Sequence, residues 1–216
     1  MRTLLTGFGP FEKTIHNPSA RIVDHFARAG APGHALTTRV LPVSFARAEE
    51  EIRRLLLTGQ YDAAVLLGVA GREACLRLEQ FGRRVAASRE DVDGAVPGLL
   101  ELHGDAPDSY CTTLALAHLH DNLTAAGLPS RLSDDAGAYV CNHTYYAALD
   151  AIATGTLSTR CLFIHVPADE NTYEEPTESP TLPLECQIEA VRLILEWLAA
   201  EESAPAFGFR SAEEVR

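Results

Sequence analysis

Short apolar runs alternate with amphipathic segments along the 216 residues of this chain, and this alternation constrains the fold more than any other feature. The clearest apolar runs are residues 63–67, which are followed by glycines, and residues 160–167, with the sequence RCLFIHVP. Continuous apolar runs of this length are typical of strands that are covered on both faces. Strands that alternate with helices predict an α/β fold, in which a largely parallel sheet carries helices on both faces.

The amphipathic segments have the boundary residues of helices. The first helix is predicted to begin after Asn17, a good N-cap, with Pro18 at its first position and Gly30 at its C-terminal end. The same patterns predict a strand at 37–43 and further helices at 45–59, 112–126, 142–153 and 184–202. Residues 72–111 carry glycines and mixed charges, which predict a hairpin or a long loop with short strands.

Charge and cysteine content exclude several classes of protein. The formal net charge of −12 argues against nucleic acid or an anionic membrane as the main partner. The five cysteines are odd in number and form no C-x-x-C pair, so neither a disulfide framework nor a thiolate zinc site is indicated. No H-E-x-x-H motif occurs, and the first apolar run is too short for a signal peptide or a membrane span. We expect a reduced, cytoplasmic protein with one domain over residues 1–216 and a frayed tail at 203–216.

Three stretches are placed where α/β folds form their sites, beyond the carboxyl ends of strands. They are GFGPF at 7–11, GVAGREACLRLE at 68–79 and FIHVP at 163–167. GFGPF lacks the third glycine of a dinucleotide-binding motif and the lysine of a P-loop, so it does not indicate a phosphate site. Phe8 and Phe11 are then either the apolar walls of a pocket or ordinary core residues.

Cys141 is the cysteine whose position suggests chemistry. It lies between a strand-like run and a helix predicted to begin at Asn142, so its thiol is expected at a helix N-terminus. The helix dipole and the free backbone N–H groups there favour a thiolate and can hold an oxyanion. A buried structural cysteine explains the position about equally well, and for Cys75, Cys111, Cys161 and Cys186 we prefer that explanation.

His165 and Glu79 complete the set of candidate residues. A histidine at the end of a buried strand is usually a core residue with a hydrogen-bond partner, but a cysteine at a helix start strengthens the case for a Cys–His pair. Glu79 is more simply explained by composition as a surface salt bridge with Arg77, Arg83 or Arg84. Only a role in orienting His165 would make this glutamate special.

Four motifs in order resemble the pyroglutamyl peptidase I family of cysteine exopeptidases, also called pyrrolidone-carboxylate peptidases. They are LLTGFGPF followed by NPS, GVAGREACLRLE, SDDAGAYVCNHTYY and FIHVP. The resemblance implies removal of an N-terminal pyroglutamate (5-oxoproline) from peptides through a thioester, without metal or cofactor. It implies Cys141 as nucleophile, His165 as general base and then acid, and Glu79 as the group that orients the imidazole. It also implies one α/β/α sandwich domain with a mixed, mostly parallel sheet, and a homo-oligomer, often a tetramer.

The substrate of such an enzyme carries a neutral, flat lactam, which calls for apolar walls and a few hydrogen bonds rather than an acidic anchor. The resemblance implies that Phe8 and Phe11 sandwich the ring and that backbone near Val69 and Ala70 contacts it. It implies a place for Arg89 near the active site, where it would aid the oxyanion. The residues expected at the substrate are Phe8, Phe11, Asn17, Val69, Ala70, Arg89, Tyr139 and Val140.

The chain departs from the family pattern around the glutamate, which leaves alternatives open. The family usually has Ser or Thr at the position of Arg77 and often Gln at the position of Val69. The main alternative is a catalytically weakened pyroglutamyl-binding protein on the same scaffold. A nucleoside phosphorylase would share the architecture but would need a phosphate site, and a redox sensor would need a second thiol, such as Cys111 or Cys161, near Cys141.

Overall fold

The computed structural model describes residues 1–98, 106–175 and 178–201, so the expected tail at 203–216 lies outside the described residues. The strands are β1 Arg2–Phe8, β2 Ala35–Leu41, β3 Ala63–Val69, β4 Leu76–Glu79, β5 Phe81–Arg83, β6 Ser109–Cys111, β7 Ser130–Ser133 and β8 Arg160–Val166. The helices are α1 Pro18–Ala29, α2 Phe45–Gly59, α3 Leu116–Ala125, α4 Val140–Thr154 and α5 Leu184–Ala200.

Six strands form one mixed sheet in the order β2-β1-β3-β8-β4-β7. The first four strands run parallel to one another, β4 pairs antiparallel with β8, and β7 pairs parallel with β4. The mixed, mostly parallel sheet expected from the sequence is therefore confirmed. A separate antiparallel pair, β5 with β6, accounts for the short-stranded hairpin expected within 72–111.

Helices cover both faces of the sheet. Successive side chains of β3 point to opposite faces, so Val65 and Leu67 enter one apolar cluster with α1, α3 and α5, whereas Ala64 and Leu66 enter a second with α2 and α4. Burial on both faces explains why β3 and β8 are apolar throughout. None of the helices within the described ranges combines the length and the apolar character that crossing a bilayer requires.

Two predicted helix boundaries and one strand assignment need correction. The helix expected at 112–126 begins only at Leu116, because residues Ser109–Cys111 form a strand and the Thr112 hydroxyl donates to the Cys161 carbonyl at 2.6 Å. The helix expected from 142 begins at Val140, which makes Cys141 its second residue. Strand β4 belongs to the main sheet rather than to the hairpin, a placement that its alternating charged residues concealed.

The start of α1 is tied to the carboxyl end of β1. Asn17 caps the helix: its Oδ1 accepts the Ser19 N–H at 3.1 Å, and its Nδ2 donates to the Gly9 carbonyl at 3.0 Å. The Phe8 N–H donates to Ser19 Oγ at 3.0 Å. A Cβ on Gly7 would lie 2.5 Å from the Ser19 carbonyl oxygen, so only glycine permits this approach of strand and helix.

Gly7→Ala should therefore destabilise the protein by about 1–3 kcal/mol, because the helix backbone must move away from β1. Urea unfolding followed by circular dichroism measures the effect. Gly9→Ala is the matched control, since its Cβ would meet nothing closer than 3.8 Å. Equal stability of the two variants would contradict the close-approach argument.

Candidate active site

A cleft of about 920 Å³ opens at the carboxyl ends of β3 and β8. Its lining includes Val69 and Ala70 after β3, His165 near the end of β8, Arg77 of β4, and Tyr139 and Cys141 at the start of α4. The cleft thus brings together Cys141 and His165, which are 24 positions apart in the sequence. Its position agrees with the rule that sites of α/β sheets form beyond strand ends.

Cys141 is half-buried at the second position of α4. Backbone N–H groups in the first turn of a helix have no partner within the helix, so this end of α4 can hold developing negative charge. No side chain caps the helix at Tyr139. The sulfur lies directly over β3, where a Cβ on Gly68 would be 2.8 Å from Sγ.

The surroundings of Cys141 favour the neutral thiol. Burial and the negative charge of Glu79 raise the pKa of the Cys141 thiol to about 12, against the weaker pull of Arg89 and Arg77. Burial and Glu79 thus act against the thiolate that the helix start favours. A thiol with so high a pKa needs a base that removes its proton as it reacts.

His165 is held by a buried carboxylate. Its Nδ1 lies 2.7 Å from Glu79 Oε1, and Glu79 is fully buried. When Nδ1 carries a proton and donates it in a hydrogen bond to this carboxylate, Nε2 of a neutral imidazole is left as a proton acceptor. The ring of Phe163 packs against the imidazole with 4.9 Å between ring centroids, which limits its rotation.

Composition favoured a surface salt bridge for Glu79. Glu79 is buried rather than at the surface, but one of the three expected partners, Arg77, does pair with it. Arg77 Nη2 lies 2.9 Å from Glu79 Oε1. Arg84 pairs instead with Asp108 at 2.6 Å, and the Arg83 guanidinium lies over the Phe81 ring. Residues two apart on a strand point to the same face, so the sequence R-L-E in β4 held a signal that Arg77 and Glu79 share an environment.

The residues predicted at the substrate divide into two groups. A small cavity of about 10 Å³ beside Cys141 is lined by Phe8, Phe11, Asn17, Val43, Val69, Tyr139 and Val140. The structure therefore brings six predicted residues together and adds Val43, for which the sequence held no signal. The remaining two, Ala70 and Arg89, line the larger cleft.

The small cavity is closed in this structure, because about 10 Å³ is roughly the space for one water molecule. The Asn17 amide is occupied as a helix cap, and the Ala70 N–H donates to the Val166 carbonyl at 2.9 Å. The Arg89 guanidinium stacks over Tyr139 at 4.1 Å and pairs with Glu12 at 3.1 Å. Admission of a five-membered ring would require these walls to separate.

Gly68→Ala tests the contact between β3 and the thiol. Its Cβ would lie 2.8 Å from Cys141 Sγ and 2.9 Å from the Phe163 ring, so we expect a loss of about 1–3 kcal/mol in the free energy of unfolding. In a Cys141→Ala background the overlap with sulfur disappears and the loss should shrink. Urea unfolding of the four proteins in this double-mutant cycle gives the coupling, and additive effects would contradict the contact.

The chain is similar to known proteins in family, sequence and structure. The family model described as pyroglutamyl peptidase matches residues 1–201. The pyrrolidone-carboxylate peptidase of Gloeobacter violaceus is 31% identical over 94% of this chain and 99% of its own length. That of Thermococcus onnurineus is 33% identical over 91% of this chain and 98% of its own length.

Solved structures agree with these sequence matches. The crystal structure of pyrrolidone carboxyl peptidase from Fervidobacterium islandicum AW-1 has a TM-score of 0.86 at 35% identity, covering 93% of this chain and 99% of that one. The enzyme from Thermococcus litoralis has a TM-score of 0.85 at 28% identity, covering 96% and 99%. The family model matches residues 1–201 of the 216 in this chain, and the solved structures share its fold. This chain therefore belongs to the pyroglutamyl peptidase family.

Proposed function

We infer that this protein is a cysteine-type pyroglutamyl peptidase, which hydrolyses the bond after an N-terminal pyroglutamate of a peptide. The observation that carries the mechanism is a shared cleft, in which Cys141 at a helix start faces the same space as His165, with Glu79 on Nδ1 of that imidazole. We propose that these three side chains act as nucleophile, general base and orienting carboxylate.

The reaction begins from the neutral thiol. His165 Nε2 takes the proton of Cys141 while sulfur attacks the carbonyl carbon of the pyroglutamyl residue, because the raised thiol pKa leaves little thiolate in advance. The resulting imidazolium is stabilised by Glu79. The imidazolium then protonates the leaving amine, the C–N bond breaks, and a thioester with Cys141 remains.

Water completes the cycle. The neutral imidazole accepts a proton from water as the water oxygen adds to the thioester carbon. The C–S bond then breaks, the imidazolium returns its proton to the Cys141 sulfur, and free pyroglutamate leaves. In both steps the carbonyl oxygen carries negative charge, which we assign to the free N–H groups in the first turn of α4. Arg89 also lines this cleft and contributes positive charge at longer range.

Specificity for a neutral lactam follows from the small cavity beside the thiol. The described side chains that line it are uncharged, and aromatic rings of Phe8, Phe11 and Tyr139 provide flat apolar walls. A free α-amino group would lose its hydration there without a carboxylate partner. We propose that the substrate opens this cavity by separating Phe11 and Tyr139, whose rings contact each other at 6.1 Å.

We further propose a single domain over the whole chain, a cytoplasmic location and a homo-oligomeric, tetrameric assembly. The location is supported by five free thiols, which suit a reducing compartment. The assembly rests on the family resemblance. Light scattering coupled to size-exclusion chromatography measures the oligomer, and a monomer would overturn that part of the proposal.

Hydrolysis of a fluorogenic pyroglutamyl amide tests the proposed activity. We expect fluorophore release by the purified protein, loss of release after iodoacetamide, and loss of at least about a thousandfold in Cys141→Ser. Cys186→Ser, which removes a thiol of α5, is the control and should keep full activity. No release, together with thermal stabilisation by free pyroglutamate, would support the binding protein instead.

Glu79→Gln tests the orienting role. The amide keeps the size of the side chain but cannot stabilise the imidazolium by charge, so we expect kcat to fall at least about tenfold with little change in KM. Steady-state kinetics on the same amide measure both constants. Glu189→Gln removes a surface carboxylate from α5 and serves as control; an unchanged kcat in Glu79→Gln would exclude the role.

A further inference from the structure

One carboxylate oxygen in the site is shared by a guanidinium group and an imidazole ring. Glu79 Oε1 lies 2.7 Å from His165 Nδ1 and 2.9 Å from Arg77 Nη2. Glu79 is fully buried, and its second oxygen, Oε2, has no hydrogen-bond partner in the described part of the chain. The two partners reach the carboxylate from neighbouring strands, because Arg77 lies directly opposite His165 in the antiparallel register of β4 and β8.

This arrangement addresses a problem of charge. A general base must be unprotonated before it acts, and beside a neutral imidazole the buried Glu79 carboxylate would have no counter-charge from His165, which is strongly unfavourable. The Arg77 guanidinium is charged at every pH at which proteins are folded. It can therefore keep Glu79 ionised while the imidazole is free to accept a proton.

Two other arginines near the site are paired with carboxylates of their own, whereas Arg72 and Lys13 line the outer cleft and make no ion pair with Glu79 among the residues that the structure describes. On β7, the Arg131 guanidinium contacts Glu73 at 2.6 and 2.7 Å. On the loop after β5, Arg89 pairs with Glu12. Cys141 of α4 carries a neutral thiol in this setting. Among the described guanidinium groups that face Glu79, Arg77 is thus the one in direct contact with it.

Resting on the proposed peptidase function, we propose that Arg77 is a positioning residue that holds Glu79 ionised and sets the pH below which His165 no longer acts as a base. The guanidinium and the imidazolium compete for the same carboxylate oxygen. The positive charge of Arg77 makes protonation of His165 less favourable. The Glu79–His165 pair therefore takes up its first proton at lower pH than it would without Arg77.

Arg77 also connects this pair to the loop that leads into α4. Its Nη2 donates to the Asp135 carbonyl and lies 3.3 Å from Ser133 Oγ. Asp135 lines the cleft together with Ala136 and Gly137, just before the helix that carries Cys141. The single nitrogen Nη2 makes these contacts, while Nε has no hydrogen-bond partner among the described residues. A lysine at this position would supply the charge but not the fixed planar geometry that holds Nη2 between the carboxylate and the loop.

The test measures the His165 ring directly by NMR titration, with its signal assigned by its absence in His165→Gln. In Arg77→Met and Arg77→Gln we expect the titration to move upward by about one pH unit. The acid limb of kcat/KM for the pyroglutamyl amide should move by the same amount. Arg77→Lys should restore the midpoint to near the wild-type value while leaving the protein less stable to heat.

Arg83→Met is the matched control, because the Arg83 guanidinium lies over Phe81 on the next strand and not on Glu79. The midpoint of the His165 titration in this variant should stay at the wild-type value. Midpoints in both neutral Arg77 variants within about 0.2 pH units of wild type would overturn the proposal. A merely structural Arg77 would lower stability and leave the midpoint in place. Because the titration needs no turnover, it tests Arg77 even if the protein fails to hydrolyse the amide.

Discussion

The antiparallel pairing of β4 with β8 is the constraint on which the site depends. It places Arg77 opposite His165 and Glu79 opposite Phe163, so the carboxylate is a diagonal neighbour of the imidazole on one face of the sheet. Glu79 and His165 are 86 positions apart in the sequence, and their 2.7 Å contact exists only because the strands meet in this register. A slip by one residue would turn Glu79 to the opposite face.

Electrostatics in this site favour a neutral resting thiol over an ion pair formed in advance. Burial and the Glu79 charge act on Cys141 in the same direction, and together they raise the pKa of its thiol. We propose that the imidazole is therefore neutral and correctly oriented when the substrate arrives, and that Glu79 performs the second task. In our proposal Arg77 supports the first, because a permanent cation lets Glu79 remain charged beside a neutral ring.

The packing around the thiol leaves little freedom on its sheet side. Gly68 permits the sulfur to lie on β3, and Gly7 permits α1 to approach β1. On the other side, the aromatic walls of the small cavity close onto one another. The scaffold thus holds the sulfur on its sheet side, whereas Phe11 and Tyr139 are the residues that, in our proposal, the substrate displaces.

By itself the sequence determined the architecture and the candidate residues. Continuous apolar runs marked the two central strands, cap residues marked α1, and the positions of Cys141 and His165 at element ends marked a site, because these signals are local periodicities. Only the tertiary structure decided that β4 and β7 join the sheet, that Glu79 is buried beside Arg77, and that the thiol is neutral. Short charged strands carry weak local signals, and burial and pKa depend on which distant strands and helices pack together.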